Sequence, residues 1–221
     1  SVKDFLVRVR LYDPEARLIA QKDEPPVRGL YPPPQWQRGE FVRDVHNFLI
    51  PVGAPPGKYQ LKMQTLDAET KKPASNEIAL ASFAIERVTN LAREQVFIAH
   101  PLDIPMHYSI MLWGYGGFEG THRAGDKITI NLVWHATRDV GTFAPPRLML
   151  YLRDISGRPV EDWWRDPITF YPPKEWRKGE VLKAYYDLQL PDDLPPGEYS
   201  LGAILHWDFS APDIARIQIV P

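Results

Sequence analysis

The chain contains a copy of part of itself. Residues 31–43 read YPPPQWQRGEFVR and residues 171–183 read YPPKEWRKGEVLK; residues 55–61 read PPGKYQL and residues 195–201 read PPGEYSL. Both pairs lie 140 residues apart with no gap between them, and 12 of the 31 positions from 31–61 to 171–201 are identical. Unrelated sequences of ordinary composition would share about one or two positions in such a window. Upstream the match continues with a shift of one residue, Asp13 and Arg17 falling on Asp154 and Arg158. A duplication limits the fold before any other argument, because each copy must be a unit that buries its apolar face in the same way.

The copies are unequal. The second carries a long lead-in that includes residues 113–146, for which the first has no counterpart. The first is therefore expected to be a module incomplete at its N-terminus, in a natural protein that extends upstream of Ser1. A module short of two strands would expose a sheet edge and half a core. The alternative is a smaller sandwich whose missing edge is covered by a linker over 91–110.

Within each copy the hydrophobic period is two. Phe5–Leu11, Phe41–Leu49, Tyr59–Leu66 and Ile78–Ile85 alternate in the first; Lys127–Val133, Arg147–Leu152, Tyr185–Leu190, Tyr199–His206 and Ile214–Val220 alternate in the second. Turn signals such as Asp13-Pro14, Ala124-Gly125-Asp126 and Ser156-Gly157 separate them. With 23 prolines in 221 residues, long helices are excluded; only short helical turns are expected near Asn90–Gln95. The prediction is all-β: two tandem immunoglobulin-like or jelly-roll sandwiches, residues 1–90 and 91–221. Pro101 and Pro105 suggest a semi-rigid connection over 86–105.

The repeated motifs read first as architecture. Gly57-x-Tyr59 and Gly197-x-Tyr199 have the spacing of a tyrosine corner, in which the hydroxyl bonds to upstream backbone. Trp36-x-x-Gly39-Glu40 and Trp176-x-x-Gly179-Glu180 read as a turn with glycine at positive φ and the indole over the sandwich end. Trp113, Trp134 and Trp207 are assigned to the core.

The second copy resembles a recurrent bacterial module. The residues that carry this are Leu112-Trp113-Gly114-Tyr115, Gly125-Asp126 to Trp134, Leu148 to Gly157, Tyr171 to Glu180 and Pro191 to Leu201. Such modules form the soluble β-sandwich tails, often in tandem, of multi-spanning glycosyltransferase-like membrane proteins of the protein-mannosyltransferase type, and occur in uncharacterised exported proteins. The resemblance implies an extracytoplasmic or cell-surface location, an upstream membrane or catalytic region in the same polypeptide, and no catalytic residues or cofactors. Ala203 to Asp208 departs from the usual strand end of that module.

Composition narrows the chemistry. The net charge is −2 and no basic stripe exists, so no nucleic-acid partner is expected. There are no cysteines, and none of the six histidines forms a zinc signature, so no metal is expected from sequence; His122 with Asp126 is the one pair considered for a site assembled in space. Asp162, Asp166, Glu175 and Glu180 are the carboxylates that a glycan hydrolase would need, but the repetition of Glu180 as Glu40 argues for a turn. Aromatic residues are the better lead. Trp163 and Trp164, expected just after a strand, with Tyr171, Arg165 and Asp166, would form a sugar-stacking site. The function expected is a non-catalytic structural or interaction module of a larger surface protein, binding a glycan or another surface protein; a carbohydrate-binding module is the alternative and a glycan hydrolase the second.

Overall fold

The computed structural model describes residues 3–141, 147–205 and 212–221. The chain divides into two compact units, Ser1–Pro51 with Pro56–Glu86, and Val52–Pro55 with Arg87–Pro221. Both are built from strands, as the alternation requires, and the helical turns are short 3-10 turns, among them Arg93–Gln95.

The first unit holds β1 (Phe5–Tyr12), β2 (Leu18–Glu24), β3 (Gly57–Asp67) and β4 (Ile78–Ile85) in one antiparallel sheet of order β2-β1-β3-β4. The second holds β5 (His100–His107), β6 (Ile110–Gly116), β7 (Thr121–His122), β8 (Lys127–Ala136), β9 (Leu148–Asp154), β10 (Pro159–Arg165), β11 (Val181–Gln189), β12 (Gly197–Ile204) and β13 (Asp213–Ile219). These form a sandwich. One sheet has the order β10-β9-β12-β13-β7, the other β11-β8-β6-β5. Leu148, Leu150, Leu152, Leu201 and Ile217 of the first sheet join Leu112, Ile130, Leu132, Trp134 and Leu188 of the second in one buried core.

The sequence repeat is a structural repeat. The order β2-β1-β3-β4 recurs as β10-β9-β12-β13. Leu11 faces Leu61 as Leu152 faces Leu201, which preserves the one-residue shift between the two halves of the match. The β-bulge recurs too, after Leu61 in β3 and after Leu201 in β12. The Asp13 Oδ1 accepts from the Glu15 and Arg17 backbone N–H groups at 2.9 and 2.8 Å, and Asp154 Oδ1 from Ser156 and Arg158 at 2.9 and 3.0 Å. An Asx turn thus closes the same hairpin twice.

Three expectations change. Residues 41–49 alternate in sequence but form no strand: in the second unit the equivalent β11 pairs with β8, and among the described residues of the first unit there is no counterpart of β8. Residues 100–107 are a strand rather than part of a connection; Pro101 and Pro105 sit in β5, at the edge of its sheet, where a missing N–H costs no ladder bond. Trp163 and Trp164 lie inside β10, not after it.

Candidate functional site

The motif YPxxWxxGE folds into the same hydrogen-bonded knot in both units. Pro32 or Pro172 enters with extended backbone, and a 3-10 turn follows over Pro33–Gln35 or Pro173–Glu175. The indole Nε1 of Trp36 donates to the Tyr31 carbonyl at 2.9 Å, and that of Trp176 to the Tyr171 carbonyl at 2.8 Å. The Tyr31 hydroxyl donates to Glu40 Oε2 at 2.8 Å, and that of Tyr171 to Glu180 Oε1 at 2.9 Å. Glu40 Oε2 also accepts from the Gln37 N–H at 2.9 Å, and Glu180 Oε2 from Arg177 N–H at 2.5 Å. Gly39 and Gly179 take φ of +87° and +84° to bring the carboxylate back onto the turn.

Only the surroundings differ. Trp176 and Glu180 are buried, whereas Glu40 is exposed and Trp36 meets Phe5 edge-on at 5.7 Å. In the second unit Arg87 Nε joins, 3.0 Å from the Tyr171 hydroxyl and 3.2 Å from Glu180 Oε1. Burial, with the adjacent Glu180 carboxylate, pushes the Tyr171 hydroxyl up to about 12. The Gln37 N–H and the Tyr31 hydroxyl hold Glu40 below its ordinary value. Beyond the knot, Gly179 N–H donates to the Ala136 carbonyl at 2.7 Å and Ala136 N–H to the Glu180 carbonyl at 2.9 Å, so the knot delivers β11 to β8 in register. Tyr199 likewise forms the expected corner, its hydroxyl donating to the Pro195 carbonyl at 2.8 Å; Tyr59 is fully buried in β3, the strand that Gly57 opens.

The aromatic site expected around Trp163 and Trp164 is not brought together as a platform. Trp163 is 8% exposed and belongs to the core, because alternation along β10 turns it inward. Tyr171 is buried with its hydroxyl in the knot. Trp164 alone presents a face, 37% exposed, its Nε1 donating to Asp162 Oδ2 at 2.8 Å and the Arg147 guanidinium 5.5 Å from its ring. Arg165 donates to the Trp164 and Asp187 carbonyls, and Asp166 is exposed. A shallow cleft of about 260 Å³ lies alongside, between Met149 and Val160.

A larger open cleft of about 760 Å³ was not anticipated. Tyr115, Asp154, Glu198, Asp213 and Arg216 contribute to it. Its charges are largely committed: Arg216 pairs with Glu198, and Asp154 holds its own turn. Tyr115 stacks between His100 at 4.6 Å and Phe118 at 5.7 Å. The sequence signal was Tyr115 itself, read as part of a strand motif rather than as a ring in a stack.

The remaining candidates do not converge. His122 Nε2 lies 2.9 Å from the Phe118 carbonyl, and Asp126 Oδ2 accepts from the Arg123 N–H. Among the described residues no three His, Cys, Asp or Glu side chains are placed to hold a metal ion. Of the six histidines, His206 lies outside the described residues, as does Trp207. Trp134 is in the core, donating to the Tyr186 hydroxyl at 3.1 Å. Trp113 is buried elsewhere. A bulge in β6 places it in a satellite cluster with Val96, Val133 and Val181, stacked on His135 at 4.1 Å. The Nδ1 of His135 is buried without a hydrogen-bond partner, and burial holds this imidazole below its ordinary 6.5.

No protein-family model matches the chain, and no curated protein does. Among solved structures it is similar to trypsin-activated alpha-2-macroglobulin from Escherichia coli, with 9% identity and a TM-score of 0.24; the match covers 92% of this chain and 12% of that one. The chain thus spans about an eighth of that protein, and so slight a likeness carries no argument.

Two outcomes follow from the knot and the histidine. Glu180→Ala removes the acceptor of the Arg177 N–H and leaves the Tyr171 hydroxyl only the Glu175 carbonyl at 3.1 Å, and should cost the second unit about 2–4 kcal/mol in urea unfolding. Glu40→Ala, with water at hand, should shift the first unit's transition less; equal shifts would contradict this account. For His135, the unfolded chain takes up a proton before the folded one as pH falls. Stability is then full above about 6.5 and is lost as pH drops through that value towards the lower folded pKa. His135→Gln should flatten the melting temperature between pH 7 and pH 5.

Proposed function

We propose that the chain is a non-catalytic structural or interaction module of a larger bacterial surface or membrane protein, located outside the cytoplasm. One observation carries this reading: the polar residues that look most chemical, Tyr31 with Glu40 and Tyr171 with Glu180, spend their hydrogen bonds on the same internal knot in both units. An active site needs a group free to meet substrate; a duplicated turn does not. The resemblance to tails of protein-mannosyltransferase-type membrane proteins supplies the proposed setting.

The absence of cysteine provides a clean test of location. Leu30 is 84% exposed, so Leu30→Cys places one accessible thiol in this stretch, read against labelling of the unsubstituted parent. In the parent protein it should react with a membrane-impermeant maleimide in intact cells as fully as in lysed ones. Labelling that requires lysis would refute an extracytoplasmic location.

A second reading, glycan binding, is favoured by Trp164 alone, whose exposed ring is flanked by Asp162 and Arg147. Aromatic faces of this kind pack on the apolar faces of sugars, and where such a ring is the anchor of a contact its truncation removes most of the binding. On a glycan array, Trp164→Ala should abolish signal while the fold survives. Loss in Tyr115→Ala instead would move the site to the larger cleft, and no signal from the native chain would remove this reading.

A further inference from the structure

Residues 41–49 of the first unit have the burial pattern of a strand without having its ladder. Burial alternates residue by residue: Phe41, Arg43, Val45, Asn47 and Leu49 are exposed, whereas Val42, Asp44, His46 and Phe48 are half-buried. The inward set is the same as in β11, where Leu182, Ala184, Tyr186 and Leu188 face the core. The inward direction is fixed by a charged network. His46 Nε2 lies 2.7 Å from Asp44 Oδ2 and its Nδ1 3.3 Å from Glu24 Oε2; Lys22 Nζ donates to the Asn47 carbonyl at 3.2 Å. Lys22 stands opposite Val9 as Trp163 stands opposite Leu150, so this network replaces the aromatic packing of the second unit along the β2 side.

The other side is open. By register, Leu61, Met63, Ala81 and Phe83 are the counterparts of Leu201, Ala203, Ala215 and Ile217. The latter four are buried; the former are half-buried, and Ala81 is exposed. What covers them in the second unit is the layer of β8, β6 and β5, which arises from the polypeptide directly before β9. Phe41 is wholly exposed, Leu49 89% and Val45 55%, an apolar load that a surface segment seldom carries.

We propose that residues 41–49 and the inner face of β3 and β4 form an acceptor for a β-sheet layer of the β8–β6–β5 kind, supplied by the same polypeptide from before β1. A strand of alternating apolar residues pairs antiparallel with 41–49, as β8 pairs with β11, and its inward side chains cover Leu61, Met63 and Phe83. The layer completes the first unit as a second sandwich. This deepens the interaction-module reading and relies on it only for a longer parent polypeptide; the cell-labelling experiment reports on location separately.

Hydrogen exchange tests the acceptor directly. In the isolated chain, the amides of residues 42–49 should exchange as an unpaired segment; in the parent polypeptide they should slow by about 100-fold, while β1 and β3 change little. Oxidative footprinting of Met63 should fall in parallel. Phe48→Glu in the parent should restore fast exchange at 42–49 and leave β9–β13 protected. Unchanged exchange in the parent, or a parent reading frame that contributes no strands before β1, overturns the proposal. So does protection that appears in the isolated chain only as concentration rises, since the occupant would then be a second copy.

Discussion

A sheet with one apolar face is stable only when another layer covers that face. The second unit satisfies this requirement with two sheets around one main core, in which Trp134 and Trp176 are sealed from solvent. The first unit meets it differently. Its β1 residues Val7, Val9 and Leu11 are buried although the described strands of this unit form one sheet only. Irregular segments supply part of the cover, and a network of Lys22, Glu24, Asp44 and His46 replaces hydrophobic packing along one side. Such a network is a weaker closure, because charges that keep contact with water gain little from pairing.

The knot shows how local and tertiary effects separate. Its hydrogen bonds join residues within ten positions of one another, so it forms whether or not a core lies beneath it. Tertiary structure then determines what the carboxylate experiences. In the exposed copy it remains hydrated; in the buried copy it needs the Tyr171 hydroxyl, the Arg177 N–H and the Arg87 guanidinium together, since a buried carboxylate with any of these missing is costly. Gly179 carries a further demand that Gly39 does not. A Cβ there would approach Asn90 Oδ1 to 2.7 Å, while nothing lies within 4 Å of the equivalent position at Gly39.

Much of the fold was legible because period-two alternation and turn chemistry are local signals. β1, β4, β8 and β13 fall within a few residues of where alternation places them, and the corner at Tyr199 forms as its spacing requires. Pairing was not legible in the same way. The alternation over 41–49 is as good as that over β4, but a strand exists only beside a partner, and partnership is set by residues far away in sequence. The candidate site was less legible still. Adjacent tryptophans alternate across a sheet, so one of Trp163 and Trp164 had to turn inward, and only the register decides which. Tyr115 became part of a ring stack through β5, which proline had made look like a linker.

Those prolines bear on how such a protein behaves in a crowd. β5 ends its sheet, and Pro101 and Pro105 deny an incoming strand two of the donors it would need. At the far side of the partner sheet, β13 is closed by β7 through Thr121 and His122. These two edges of the second unit are thereby shielded against strand addition from neighbours at high local density. β4 of the first unit has no such guard: it ends its sheet with Ile78 and Leu80 exposed and no proline between them. Colloidal behaviour should therefore be uneven along the chain, with β4 more prone to sticking between molecules than the β5 and β7 edges of the second unit.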